Sequence, residues 1–246
     1  MEVKIAIVDS RISEAAQRRL TLLGFRVITL PPFSKLSAPV ASHTDMLIHR
    51  IGEEYISYAD YCEEASYVFS DLSALMVPCG AKFSFTADEV TEEYPGDCRL
   101  NALRMGNKLF CKSDSASEYL ILRAKECGID IVDTKQGYPA CTVLKLTDES
   151  AITADRGMAK ILTESGIRVT LISPGGVELL PYEYGFIGGC GGVTDGKLYL
   201  FGDVTTHPDS EMIINTANRE GLTVVSLGSG SLVDLGGIIF TKGNID

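Results

Sequence analysis

The chain has 246 residues, 45% of them hydrophobic, with 24 glycines and 9 prolines, which suits one large domain or two small ones and excludes a disordered, collagen-like or coiled-coil chain. A net charge of −11 with no basic cluster excludes nucleic acid as a partner and favours cationic small molecules. No apolar run approaches the ~20 residues of a membrane span, and seven cysteines without metal-site spacing suit the thiols of a cytoplasmic protein, so no leader, anchor or membrane contact is expected.

In chain order, Val3 to Asp9 reads as a strand, Ser13 to Leu23 as an amphipathic helix, and Gly24 to Val27 as a glycine followed by a β-branched strand. Helix, glycine and strand then recur: Ser115 to Cys127 before Gly128, Ala154 to Ser165 before Gly166, and Pro208 to Glu220 before Gly221. Ser115 and Glu118 have capping-box spacing, and Pro208 stands where a first-turn proline loses no hydrogen bond. Glycine just past a helix end accepts a left-handed backbone without steric cost. The stretch from Tyr55 to Ser84 is the least regular, its helix lacking a terminal glycine and Pro78 to Gly80 suggesting a longer loop.

Between these units the sequence predicts hairpin turns starting at Ile51, Met105, Thr147, Thr194 and Thr241, about one every 47 residues, the period of ring and solenoid architectures. The last turn has no helix after it, and the first strand and helix have no turn before them. The N-terminal strand and helix therefore complete the last unit, giving an α/β fold of five ββαβ blades in one closed domain, residues 1–246. A doubly wound α/β domain is the alternative suggested by the first strand and helix. Their junction, Asp9 to Glu14, lacks the glycine-rich turn a dinucleotide phosphate needs, and neither Gly175-Gly176 nor the Gly188 to Gly192 run sits between a strand and a helix.

In such a ring the stretches ahead of each turn, on the first strand of each blade, face the centre. They are Ser42 to Met46, Gly96 to Asn101, Tyr138 to Thr142, Ile187 to Gly191 and Leu232 to Gly237. Chemistry-bearing residues collect there: His43, Asp45, Cys98, Asn101, Cys141, Cys190 and Asp234. Histidine is scarce, with three in the chain, His49 falling on the strand face of His43 and His207 before a helix, so no metal and no cofactor are expected.

These features resemble the penteins, the fold of the guanidino-group-modifying enzymes, which include arginine deiminase, agmatine deiminase and dimethylarginine dimethylaminohydrolase. Cys141 to Thr147, preceded by Gly137 to Ala140, is similar to the family's nucleophile segment, and His43-Thr44-Asp45 to its His-x-Asp. Histidine and cysteine stand two blades apart, as in the family. Val233 to Gly237 is similar to the acidic Gly-Gly-Asp segment, with Asp234 in the acidic place, Leu235 for the first glycine and Gly237 for the final Asp. That blade comes last here, so the resemblance implies a circular permutation. It further implies a hydrolase or amidinotransferase-like enzyme acting on a C–N bond of a guanidine or amidine ligand, with Cys141 as nucleophile, His43 as acid and base, and Asp234 as a supporting carboxylate. Asp45, Asn101 and Cys190 would face the substrate, with Cys190, flanked by glycines and open to a ligand, as reserve nucleophile. Cys62, Cys79, Cys111 and Cys127 read as packing. One departure is that Phe186 to Val193 carries no carboxylate where the family supplies a substrate-binding acid. The alternative is a non-catalytic pentein that binds a protein or small-molecule partner.

Overall fold

The computed structural model describes residues 1–244. Its strands form five three-stranded sheets and one two-stranded parallel pair, Val177–Glu178 with Leu232–Val233. Each three-stranded sheet has one plan: a first strand antiparallel to a second, then a helical crossover to a third strand parallel to the second. The short sheets do not merge into the single parallel sheet that a doubly wound domain requires.

Four sheets run in chain order. They are His49–Ile51, Glu54–Tyr58 and Lys82–Thr86; Leu103–Met105, Lys108–Cys111 and Asp130–Asp133; Val143–Lys145, Ser150–Thr153 and Arg168–Leu171; and Gly191–Thr194, Lys197–Leu200 and Thr223–Ser226. The fifth joins the two ends of the chain: Ile239–Asn244 pairs antiparallel with Glu2–Asp9, which pairs in parallel with Phe25–Leu30. The turn expected at Thr241 to Asn244 is therefore strand, with Lys242 opposite Lys4 and Asn244 opposite Glu2. In this sheet the hairpin position is occupied by the chain ends.

The helices start where short polar side chains satisfy free amides. Ser13 caps Glu14–Leu22 by accepting from Ala16 N, and Asp155 caps Arg156–Glu164 by accepting from Met158 N. The capping box at Ser115 is displaced: Ser117 caps Glu118–Glu126 through Leu120 N, and the Ser115 hydroxyl donates to Lys112 O instead. The last crossover helix runs Ser210–Arg219 with Asp209 at its cap, so Pro208 lies just outside the helix and not in its first turn. Between Tyr55 and Ser84 lie two helices, Ala59–Glu64 and Ser66–Met76, and a 3-10 turn, Val77–Cys79. Gly80 follows at φ 93°, so this irregular unit does end in a left-handed glycine like Gly24, Gly128, Gly166 and Gly221.

Of the five segments ahead of the first strands, only the last contains strand, Leu232–Val233. Thr44–Leu47 and Pro139–Thr142 are single helical turns, Ile187–Cys190 is a 3-10 turn, and residues 97–102 are irregular. His43 is the residue before Thr44–Leu47 and His49 opens a strand, so the two do not share a strand face. The cysteines are free thiols, with Cys79 and Cys127 exposed, Cys62 partly buried and Cys111 in the core, so two of the four expected packing cysteines lie on the surface. No helix among the described residues is long and apolar enough to cross a membrane.

Candidate active site

His43 enters the site because its carbonyl starts a helical turn, accepting from Met46 N and Leu47 N, which turns its imidazole inward. The turn is tied to the last segment of the chain: Asp45 N donates to Gly236 O at 3.2 Å, and the Thr44 hydroxyl donates to the same oxygen. A side chain at Gly236, which has φ 68°, would collide with His43 Cβ, so glycine permits both the left-handed backbone and the close approach.

Asp234 is fully buried and held from two directions. One carboxylate oxygen accepts from Phe186 N at 2.8 Å and the other from Gly236 N at 3.1 Å. A Cβ on Gly189 would overlap the Asp234 carboxylate, one on Gly188 would overlap the carbonyls of Ala140 and Cys141, and Gly189 O accepts from both Leu235 N and Gly237 N. The glycine run thus admits the protein's own backbone and carboxylate rather than a ligand. Cys190 is correspondingly fully buried, donating to Phe186 O at 3.4 Å, with burial first and then the Asp234 charge raising its thiol. It is not open to a ligand as expected.

Cys141 sits in the Pro139–Thr142 turn. Asn101 fixes that turn with both ends of its amide: its carbonyl accepts from Ala140 N at 2.9 Å, and its Nδ2 donates to Cys141 Sγ at 3.1 Å. Cys98, expected at an equivalent position, lies instead 3.3 Å from Pro95 O and near Ser115, with burial pushing its thiol up to about 11.

His43, Asp45 and Cys141 bring one metal-ligating atom each to within 4.8 Å of one another. The imidazole also has carboxylates on both sides: Asp9 Oδ2 is 4.0 Å from Nε2, while Asp45 and Asp234 are 4.0 and 3.9 Å from Nδ1. Neither ring nitrogen of His43 and neither carboxylate oxygen of Asp45 has a hydrogen-bond partner, an arrangement that costs free energy when nothing fills it. The trio is also of a kind that holds zinc, so the spacing argument against a metal site does not extend to residues that only the fold brings together.

Asp9 and Arg11 are missing from the set expected from sequence. Asp9 is fully buried and chelated by its neighbour, Arg11 Nε at 3.0 Å and Nη2 at 2.6 Å. The available signal was a carboxylate closing an otherwise apolar strand. Tyr138 and Asp97 lie within stretches expected to face the centre, and the Tyr138 hydroxyl donates to Asp97 at 2.6 Å.

Burial and then Arg11 push His43 down to about 3, so its ring is neutral. Burial and then mutual repulsion with Asp234 hold Asp45 well above the usual carboxylate range, and burial raises Asp234 to about 6. Burial, followed by the charges of Asp45 and Asp234, keeps Cys141 a thiol. A cation entering among these groups opposes each carboxylate shift and favours the thiolate.

His43, Cys141, Asp234, Tyr138 and Asp97 share one cavity of about 420 Å³. A larger recess of about 550 Å³ lies on the hairpin side, lined by Asp45, His49, Lys145 and Asp148 but by neither His43 nor Cys141. Volume does not select the site, since a third recess, lined by Lys4, Arg50, Asp195 and Lys242, is larger still at about 580 Å³; the nucleophile and base types lie in the first, which is the better site candidate.

Residues 7–239 match a family of unknown function, DUF6873. The chain belongs to that family. No curated protein matches the DUF6873 chain. Among solved structures it is similar to SxtG, an amidinotransferase of the saxitoxin biosynthetic pathway from Microseira wollei, with 14% identity over 92% of this chain and 88% of that one, at a TM-score of 0.54. It is similar to the C249S mutant of the Pseudomonas aeruginosa dimethylarginine dimethylaminohydrolase complexed with citrulline, with 13% identity over 92% and 91% and a TM-score of 0.56. It is also similar to the inosamine-phosphate amidinotransferase StrB1 of Streptomyces griseus, with 14% identity over 92% and 81% and a TM-score of 0.53. These neighbours are guanidino-group-modifying enzymes, and the likeness assigns this DUF6873 chain the pentein fold.

Proposed function

We propose that residues 1–246 form one closed five-bladed pentein domain whose central cavity hydrolyses or transfers an amidino group through Cys141. The observation that carries this reading is the convergence of Cys141, His43, Asp45 and Asp234 from three different units, with the polar side-chain atoms of His43 and Asp45 buried and unpartnered. Asp234 lines the cavity, and Asp45, which opens to the other recess, lies within 4.8 Å of the ligating atoms of His43 and Cys141, so the pair supplies the negative charge that a guanidinium or amidinium ion calls for. In the permuted order that the resemblance implies, the neighbouring enzymes support the same class of chemistry.

With the cation bound, the Cys141 proton passes to His43 and the thiolate forms a bond to the amidino carbon. His43 returns the proton to the departing nitrogen as the C–N bond breaks, leaving a covalent S-amidino adduct. Water then attacks the adduct, giving its proton to His43 and releasing the thiolate, which takes that proton back. An amine in place of water completes a transfer. Asp9, Asp45 and Asp234, all within 4.0 Å of the ring, favour the transient imidazolium. The scheme uses no cofactor, and the seven free thiols support a cytoplasmic setting.

The test is labelling by 2-chloroacetamidine, an amidinium-bearing electrophile. Cys141 is expected to be modified faster than the exposed Cys79 and Cys127, a preference absent with neutral iodoacetamide, and Cys141→Ala should lose the label and all turnover. Labelling that survives the substitution sinks the assignment. A second reading, a non-catalytic pentein that binds a partner or ligand, is favoured by the raised Cys141 thiol and by the Gly188 to Gly192 run without a carboxylate. It predicts a Cys141 no more reactive than a free cysteine, with or without a cation present.

A further inference from the structure

Beyond the reacting groups, the walls of the 420 Å³ cavity include Val40, Met46, Leu179, Tyr182, Tyr184 and Phe186. The charged residues lining it are Asp97, Glu183 and Asp234, with no lysine or arginine among its described lining. Arg11, the cation beside His43, is chelated by Asp9. The aromatic wall belongs to a loop closed on itself, with Tyr182 N donating to Leu179 O at 2.8 Å and Gly185 N to Val177 O at 2.9 Å. Tyr182 and Tyr184 are nevertheless 51% and 42% exposed.

Resting on the reading above, we infer that the site takes a carboxylate-free guanidine or amidine with an apolar substituent, in preference to a guanidino amino acid. A carboxylate tail brought into this cavity would lose its water, meet no cation and face Asp97 and Glu183, a combination costly in any low-dielectric setting. An apolar tail would instead cover the two tyrosines and lie against Leu179 and Phe186, gaining transfer free energy with each methylene buried. Asp97 has one oxygen accepting the Tyr138 hydroxyl and the other buried without a partner, so a second cation is the one polar end the cavity could take, and the dication is the competitor that tests the apolar preference.

Binding is read by calorimetry on Cys141→Ala, checked by circular dichroism against wild type, with benzylguanidine, arginine and 4-aminobutylguanidine as ligands. A second readout is their protection of wild-type Cys141 from 2-chloroacetamidine. Benzylguanidine is expected to bind at least about tenfold tighter than arginine and no more weakly than 4-aminobutylguanidine. Equal or tighter binding of arginine, or tighter binding of the dication, overturns the inference, while continued labelling of Cys141 would leave the reaction class standing. Failure of benzylguanidine to bind or protect overturns it as well, and only loss of amidine labelling would remove the proposed chemistry with it. Replacing the rim acid, Glu183→Arg, should raise arginine affinity relative to benzylguanidine several-fold. An unchanged ratio would refute the role given to the acidic rim.

Discussion

His49 separates the cost of a buried imidazole from the chemistry next door. Burial pushes it down to about 4 from its ordinary 6.5, so the folded ring is neutral where the unfolded chain binds a proton. The depressed value contributes stability that is complete above 6.5 and is lost as pH falls toward about 4, on the order of 3 kcal/mol in all. Asp234 works the other way. Raised to about 6 from 3.8, its carboxyl binds a proton in the folded state first and adds stability over part of the same range. The two effects offset one another in the whole protein, so the informative quantity is the stability of wild type minus that of His49→Gln, measured by urea unfolding. That difference should shrink as pH falls from about 7 to about 4, and a pH-independent difference would refute the assignment. At this scale Cys141, His43, Asp45 and Asp234 were legible because each falls at an equivalent place in a repeated unit. Asp9 was not, because a carboxylate ending an apolar strand is ordinary until the fold brings it within 4.0 Å of His43.

Elements separate two uses of glycine that the sequence writes alike. Gly166 ends a helix at φ 86°, and a Cβ there would meet nothing within 4 Å, so its role is confined to its own backbone. Gly189 has the Asp234 carboxylate where its Cβ would be. Gly166→Ala should therefore cost about 1 kcal/mol and leave Cys141 labelling intact. Gly189→Ala must displace Asp234 from Phe186 N and Gly236 N, costing more than about 2 kcal/mol and impairing labelling beyond what the lost stability explains. Thermal unfolding and labelling rates of the two variants check this, and equal effects on labelling would refute it. The helix-glycine-strand pattern was readable because capping residues, helix-end glycines and β-branched strands are local signals. The short turns carrying His43 and Cys141 were not, since Thr44–Leu47 and Pro139–Thr142 have four residues each, too few for any periodicity, and depend on tertiary bonds from Gly236 and Asn101.

On the scale of the whole molecule, the sheet joining the chain ends differs from the other four only in its open hairpin. Glu2 lies opposite Asn244, and the register continues to Ile7 opposite Ile239, so the seam is paired as fully as any internal hairpin. If five equivalent units close on one another, the seam's location is a matter of connectivity and not of packing. A short flexible linker joining the present ends, with new ends opened between Asp195 and Gly196, should then give a folded chain. Both residues have positive φ, 50° and 69°, in a turn whose removal relieves strain, and the ion pair that Asp195 makes with Lys4 is half-exposed and worth little. The permutant is expected to unfold cooperatively within about 10 °C of the parent and to keep amidine labelling at Cys141, because no contact among His43, Asp45, Cys141 and Asp234 crosses the new opening. A permutant that folds but loses labelling would mean that the site depends on tension through the Gly191–Thr194 and Lys197–Leu200 hairpin. One that fails to fold would mean that the units are not interchangeable and that the fold depends on this hairpin in particular.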